Sequence, residues 1–106
     1  MHEERLKKLL EWEAQNPGDA FLKFALAQEY ASGNMDEKAL KYYEILVKEF
    51  PGYLPTYYQF GNLLERQNEN VKAIEVYKLG VTVARQTNDS KTLRELQEAI
   101  NMLQDE

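Results

Sequence analysis

Apolar residues along this chain recur three and four positions apart, and short polar stretches holding Pro, Gly, Asn or Asp interrupt them. That spacing predicts six helices. The first, about 2–15, carries Leu6, Leu9, Leu10 and Trp12 on one side. The sequence Asn16-Pro17-Gly18-Asp19 ends it and begins the next, with Asp19 placed to cap. The second helix, about 19–32, sets Leu22, Ala25, Leu26 and Tyr30 in register, and Gly33-Asn34 turns the chain. Asp36 opens a third helix, about 35–50, where a carboxylate favours the helix dipole. It is apolar on two sides: Ala39, Tyr43, Leu46, Val47 and Phe50, then Leu40, Tyr42 and Ile45. So wide an arc predicts cover from more than one direction. Pro51-Gly52 repeats the earlier break. A fourth helix, about 53–66, carries Tyr57, Phe60, Gly61 and Leu64. The fifth, about 69–86, carries Val71, Ala73, Ile74, Tyr77 and Val81, with Val76, Leu79 and Val83 beside them. After the turn Thr87–Ser90 comes a sixth, about 90–104, with one stripe of Leu93, Leu96, Ile100 and Leu103. Its other face is polar and includes Glu95 and Glu98, which suits a helix that covers a stack and faces water.

A shift of about 34 residues lays the chain on itself. Pro17 falls on Pro51, Gly18 on Gly52, Asn34 on Asn68, Lys38 on Lys72, Ala39 on Ala73, Tyr43 on Tyr77 and Val47 on Val81. The matching positions are small, aromatic and turn residues, which set how two helices touch and where they stop. Ala27, Gly61, Ala39 and Ala73 mark close helix approach, and Tyr43 and Tyr77 fill the space beside them. A period of this length with helical patterning inside each copy predicts an all-α, helix–turn–helix solenoid.

Composition narrows the function classes. With 106 residues, 43% hydrophobic and 29% charged, the chain reads as one soluble domain. It has no cysteine, which excludes disulfides and thiolate chemistry. The first residues are too charged for a signal peptide, and no apolar run reaches membrane-spanning length, so a cytoplasmic protein without membrane contact is expected. A net charge of −5 disfavours nucleic acid as partner.

No constellation for catalysis stands out. His2 is the only histidine and is read as solvated. Ser32 and Ser90 have no histidine partner, and no phosphate-binding glycine pattern occurs. Glu3, Glu4, Glu11 and Glu13 alternate with Lys7 and Lys8 and read as a solvated helix face, not a metal site. The expectation is a non-enzyme with no cofactor, no metal and no catalytic residue.

The two copies resemble the tetratricopeptide repeat (TPR). In that family helix A carries Trp-x2-Leu-Gly-x2-Tyr, helix B carries Ala-x3-Phe/Tyr-x2-Ala, and Pro follows. The second copy here reads Tyr57-x2-Phe60-Gly61-x2-Leu64, then Ala73-x3-Tyr77-x2-Gly80. The first reads Lys23-x2-Leu26-Ala27-x2-Tyr30, then Ala39-x3-Tyr43-x2-Leu46, with Pro51 in place. The resemblance implies a right-handed solenoid of about two repeats in one domain. Residues 1–16 form an N-terminal helix, 17–50 the first repeat, 51–86 the second and 87–106 a capping helix. Lys23 departs from the pattern where a bulky aromatic is usual, as do Leu46 and Gly80 where Ala is usual. Both imply looser or altered packing. Arg85 stands where a third Pro would be, which fits an array that stops there.

In such a stack the A helices line a concave face, and four positions per repeat are exposed on it. Here those are Phe21, Phe24, Gln28 and Ala31, then Pro55, Tyr58, Asn62 and Glu65. The implied function is a scaffold or adaptor that binds a protein or peptide in this groove. Phe21, Phe24, Gln28, Tyr58, Asn62 and Glu65 form the expected site, with Phe24 and Tyr58 flanking one channel. Because those side chains are mostly uncharged, only a mild dependence on salt is expected. Relatives that bind the acidic C-termini of heat-shock chaperones use Lys and Arg along the A helices. Those cations are missing at Phe24 and Tyr58, so that activity is not carried over. The alternative is a self-associating module that forms a homodimer through exposed aromatics.

Overall fold

The computed structural model describes residues 3–105, and His2 lies outside them. Six helices follow one another, with no strand among the described residues. They are α1 (Glu3–Gln15), α2 (Ala20–Ser32), α3 (Asp36–Glu49), α4 (Pro55–Arg66), α5 (Asn70–Gln86) and α6 (Ser90–Gln104). These bounds fall within two residues of those that the hydrophobic spacing predicts. The helices divide between two compact units, Met1–Tyr53 and Leu54–Glu106. In the first unit α2 packs on both α1 and α3. In the second, α5 packs on both α4 and α6.

One device turns the chain three times. Asn34, Asn68 and Asn88 take left-handed backbone conformations, with φ of 60°, 62° and 57°. The next residue's N–H reaches back to a carbonyl of the last helical turn: Met35 to Tyr30 at 2.9 Å, Glu69 to Leu64 at 2.8 Å, Asp89 to Ala84 at 2.9 Å. This closes each helix and reverses the chain, and Asn is the side-chain-bearing residue that best tolerates the conformation. The pair Gly33-Asn34 is thus a turn in which the Asn, not the Gly, makes the left-handed step; Gly33 has φ −91°.

Two aspartates cap helices, Asp19 as expected and Asp89 within the turn before α6. Asp19 accepts from the Phe21 N–H at 2.9 Å. Asp89 accepts from the Thr92 N–H at 3.0 Å and from the Thr92 hydroxyl at 2.9 Å. Those two bonds hold the Asp89 carboxyl below its usual range, the backbone bond contributing most. A depressed folded-state pKa gives stability that is full above the ordinary aspartate pKa and is lost as pH falls through the depressed value. The Thr92 amide proton, followed by NMR through an acid titration, is expected to shift with a midpoint below that of an ordinary aspartate. An ordinary midpoint would mean that the cap does not form.

The core of the first unit is sealed by Leu26, Ala27, Ala39, Tyr43 and Leu46, each 1% exposed or less. Tyr30 stacks on Tyr42, with ring centroids 5.9 Å apart and planes 17° apart, and the Lys38 ammonium sits 5.5 Å from the Tyr30 ring. In the second unit Tyr57, Ala73, Tyr77, Ala84 and Leu96 are sealed. Gly61 lies against the Tyr77 ring, and a Cβ on Gly80 would sit 2.6 Å from Tyr57 Cβ. The small residues of the repeat thus mark close approach.

Some apolar residues lie elsewhere than the stripes imply. Leu9 is buried, while Leu10 and Trp12 on the same helix are exposed. Val71 and Leu79 are exposed too. They share an open arc of α5 with Glu75, Lys78 and Thr82, since α4 and α6 cover only the rest of that helix.

Of the looser or altered packing expected at Lys23, the structure shows the altered kind. Its ammonium is buried and donates to Glu13 Oε2 and to the Pro17 carbonyl, both at 2.7 Å, and lies 5.8 Å from the Phe50 ring. A buried cation is tolerated only when paired and hydrogen-bonded, and Lys23 is both. Where a bulky aromatic was expected, a lysine stem and an ion pair fill the space. Glu13 is therefore not part of a solvated face: its side chain is 20% exposed and ties α1 to α2. Arg5 likewise reaches Glu29 at 3.0 Å.

Candidate functional site

Three of the predicted groove residues converge. Tyr58, Asn62 and Glu65 lie on one face of α4 because three- and four-residue steps return to the same side of a helix. They form one wall of a cavity of about 240 Å³ whose other wall is α6. From α6 come Glu95, Glu98, Ala99 and Met102, again at helical spacing. Tyr58 is 38% exposed and Met102 73%, so an aromatic ring and a thioether stand open to an incoming group.

Tyr77 organises the wall from behind. Its ring is buried against Gly61 and lies 6.2 Å from the Tyr58 ring at 42°. Its hydroxyl donates to Asn62 Oδ1 at 2.8 Å and to Glu65 Oε2. A phenol has one proton to give, and the carboxylate is the stronger acceptor. Asn62 is therefore held loosely and Glu65 firmly. Burial pushes the Tyr77 pKa well up, and the hydrogen bond to Glu65 and that residue's charge push the same way. The hydroxyl thus remains a donor across the ordinary pH range and keeps Glu65 in place.

The other predicted site residues lie in the first unit. Phe24 is not offered to a ligand: it is 8% exposed, its ring 5.6 Å from Tyr53 and 6.4 Å from Tyr43. Tyr53, from the turn after α3, covers the position that the repeat pattern leaves open. Phe21 is 58% exposed and borders two cavities. One, of about 510 Å³, is also lined by Asp19 and Tyr53. The other, of about 570 Å³, lies between α1 and α2 and is lined by Leu9, Trp12 and Ala25 with Arg5 and Lys8. Gln28 is exposed and lines neither.

Sequence reasoning missed Glu95 and Glu98, which it assigned to the polar face of a covering helix. Their spacing with Ala99 and Met102 marks one stripe, but only the way α6 packs on α5 brings that stripe opposite Tyr58. Their presence also overturns the expectation of a mostly uncharged groove, because three carboxylates line this cavity.

No protein-family model and no curated protein matches the chain. Solved structures do. A tetratricopeptide repeat domain protein from Salinibacter ruber, solved in solution, is 40% identical with a TM-score of 0.79, over 83% of this chain and 89% of that one. A crystal structure of a tetratricopeptide repeat domain protein from the same organism is 39% identical with a TM-score of 0.76, over 82% and 97%. A protein from Bordetella parapertussis shares the fold at 23% identity, with a TM-score of 0.80 over 94% and 87%. Paired helices closed by recurring turns, small residues where those helices meet and 40% identity across most of a solved repeat domain lead to one conclusion: the chain belongs to the tetratricopeptide repeat family.

Proposed function

We propose that this protein is a non-enzymatic adaptor of the cytoplasm that holds a segment of a partner protein in the groove between α4 and α6. Its family is typically non-enzymatic, and the fold suggests protein–protein interaction in general. The observation that carries the reading is the open cavity in which Tyr58, Asn62 and Glu65 converge. Tyr58 acts as the anchor, a rigid ring with a polar tip whose burial by a partner yields much of the binding energy. Asn62, loosely held by Tyr77, pairs with the partner's backbone amides.

Peptides selected from a random display library on the wild-type protein test the idea. Tyr58→Ala is expected to weaken their binding by about 1–2 kcal/mol, with a smaller loss of melting temperature than Gly61→Ala, because the ring is 38% exposed and meets the core only along Tyr77. Asn62→Ala is expected to cost about 0.5–1.5 kcal/mol. Undiminished affinity in both variants would place binding elsewhere on the molecule.

A second reading has its own observation. Trp12 and Phe21 are 50% and 58% exposed and share the larger cavity between α1 and α2. Exposed aromatics around an apolar hollow suit self-association. A mass in solution that stays monomeric over a wide concentration range would exclude it.

A further inference from the structure

We propose that the segment held between α4 and α6 is basic, and that the groove receives one of its arginine or lysine side chains. This rests on the reading of the groove given above and names the chemistry of its occupant. The cavity is a groove with apolar and aromatic surface, and the charges on its rim choose the partner. Tyr58, Ala99 and Met102 offer that surface, and Glu65, Glu95 and Glu98 stand around it. Among the described residues, no lysine or arginine lines it.

Three features together favour a long cationic side chain. First, the volume of about 240 Å³ equals the liquid share of about eight waters at roughly 30 Å³ each, which is room for one long side chain and not for a helix. Second, lysine and arginine carry an apolar stem below a charged head. The stem matches Ala99 and Met102, and the head matches carboxylates from both walls. Third, Tyr58 presents its ring at the rim, and a cation over a tyrosine face gains further attraction. Glu95 and Glu98 lie three apart on one helix face, where like charges repel, and a bound cation relieves that repulsion. An acidic side chain in the same place would be repelled by three carboxylates, and a neutral one would gain nothing from them.

The test uses the whole chain and four short capped peptides with apolar flanks, identical except for Arg, Lys, Gln or Glu at the centre. Binding is followed by NMR shifts at Tyr58, Asn62, Glu95 and Ala99. The Arg and Lys peptides are expected to bind at least about tenfold more tightly than the Glu peptide, and that preference should shrink at high salt. The exposed pair Glu95→Gln/Glu98→Gln should cut the preference severalfold, Glu65 remaining, while the Gln peptide, which carries no charge for them to hold, loses much less affinity than the Arg and Lys peptides. Glu95→Lys/Glu98→Lys should invert the preference. If all four peptides bind equally at these residues, the groove reading stands and the cationic occupant is wrong. If the peptides bind and shift only residues outside the groove, both fail.

Discussion

Gly61→Ala is expected to destabilise the protein by about 1–3 kcal/mol, and Gly61→Leu by more. Two effects oppose each other here. In a helix interior Ala is favoured over Gly by roughly 0.5–1 kcal/mol. Against that, a Cβ at position 61 would overlap the Cδ1–Cε1–Cζ edge of the Tyr77 ring. The ring cannot swing aside. It is fully buried, its hydroxyl is bound to Glu65 and Asn62, and Tyr58 lies beside it. The clash therefore outweighs the helix preference, and α4 must move off α5. Gly52→Ala is the control, since nothing lies within 4 Å of a Cβ there and no positive φ is involved. It should be neutral, or stabilising by up to about 1 kcal/mol. Thermal melting reads both, at roughly 4–8 °C per kcal/mol for a domain of this size. Equal melting temperatures for the two alanine variants would refute the packing described for α4 and α5. The Gly61 variants should also lose ligand, because Tyr77 positions Asn62 and Glu65.

The second large effect belongs to Glu13 and Lys23. Glu13→Ala is expected to cost about 1–3 kcal/mol, because it takes the carboxylate from the buried Lys23 ammonium and leaves it the Pro17 carbonyl. The cost falls below that of stranding a charge in a fully sealed core, since the Glu13 side chain is partly exposed. Lys23→Met should cost less, for it removes the charge and keeps an unbranched stem of similar length. The double variant is then expected to be more stable than Glu13→Ala alone. Urea unfolding of the three proteins measures the coupling. Strict additivity would show that the two side chains do not depend on each other.

Much of the fold was legible because it rests on local rules. Pro17, Pro51 and the aspartates at 19 and 89 punctuate the helices, and the residues that seal the cores repeat at helical spacing. What escaped depends on neighbours that spacing alone does not supply. Phe24 occupies a position open in the repeat pattern, yet Tyr53 covers it from a turn. Glu13 looks like one of several solvated acids until α1 lies against α2. In the groove, Tyr58, Asn62 and Glu65 were readable as a stripe on one helix. The opposing Glu95 and Glu98 were not, because no sequence rule states which side of a covering helix will face α4.

The order of packing has a kinetic consequence. Each helix rests on its neighbour in the chain: α1 on α2, α2 on α3, α4 on α5, α5 on α6. The ion pair of Lys23 with Glu13 spans 10 residues, and the hydroxyl contacts of Tyr77 span 12 and 15. Loops this short close in about 10–100 ns and cost little chain entropy. Chains dominated by such local contacts fold in microseconds to milliseconds. Each unit can therefore complete its helix pairs as soon as its own three helices exist.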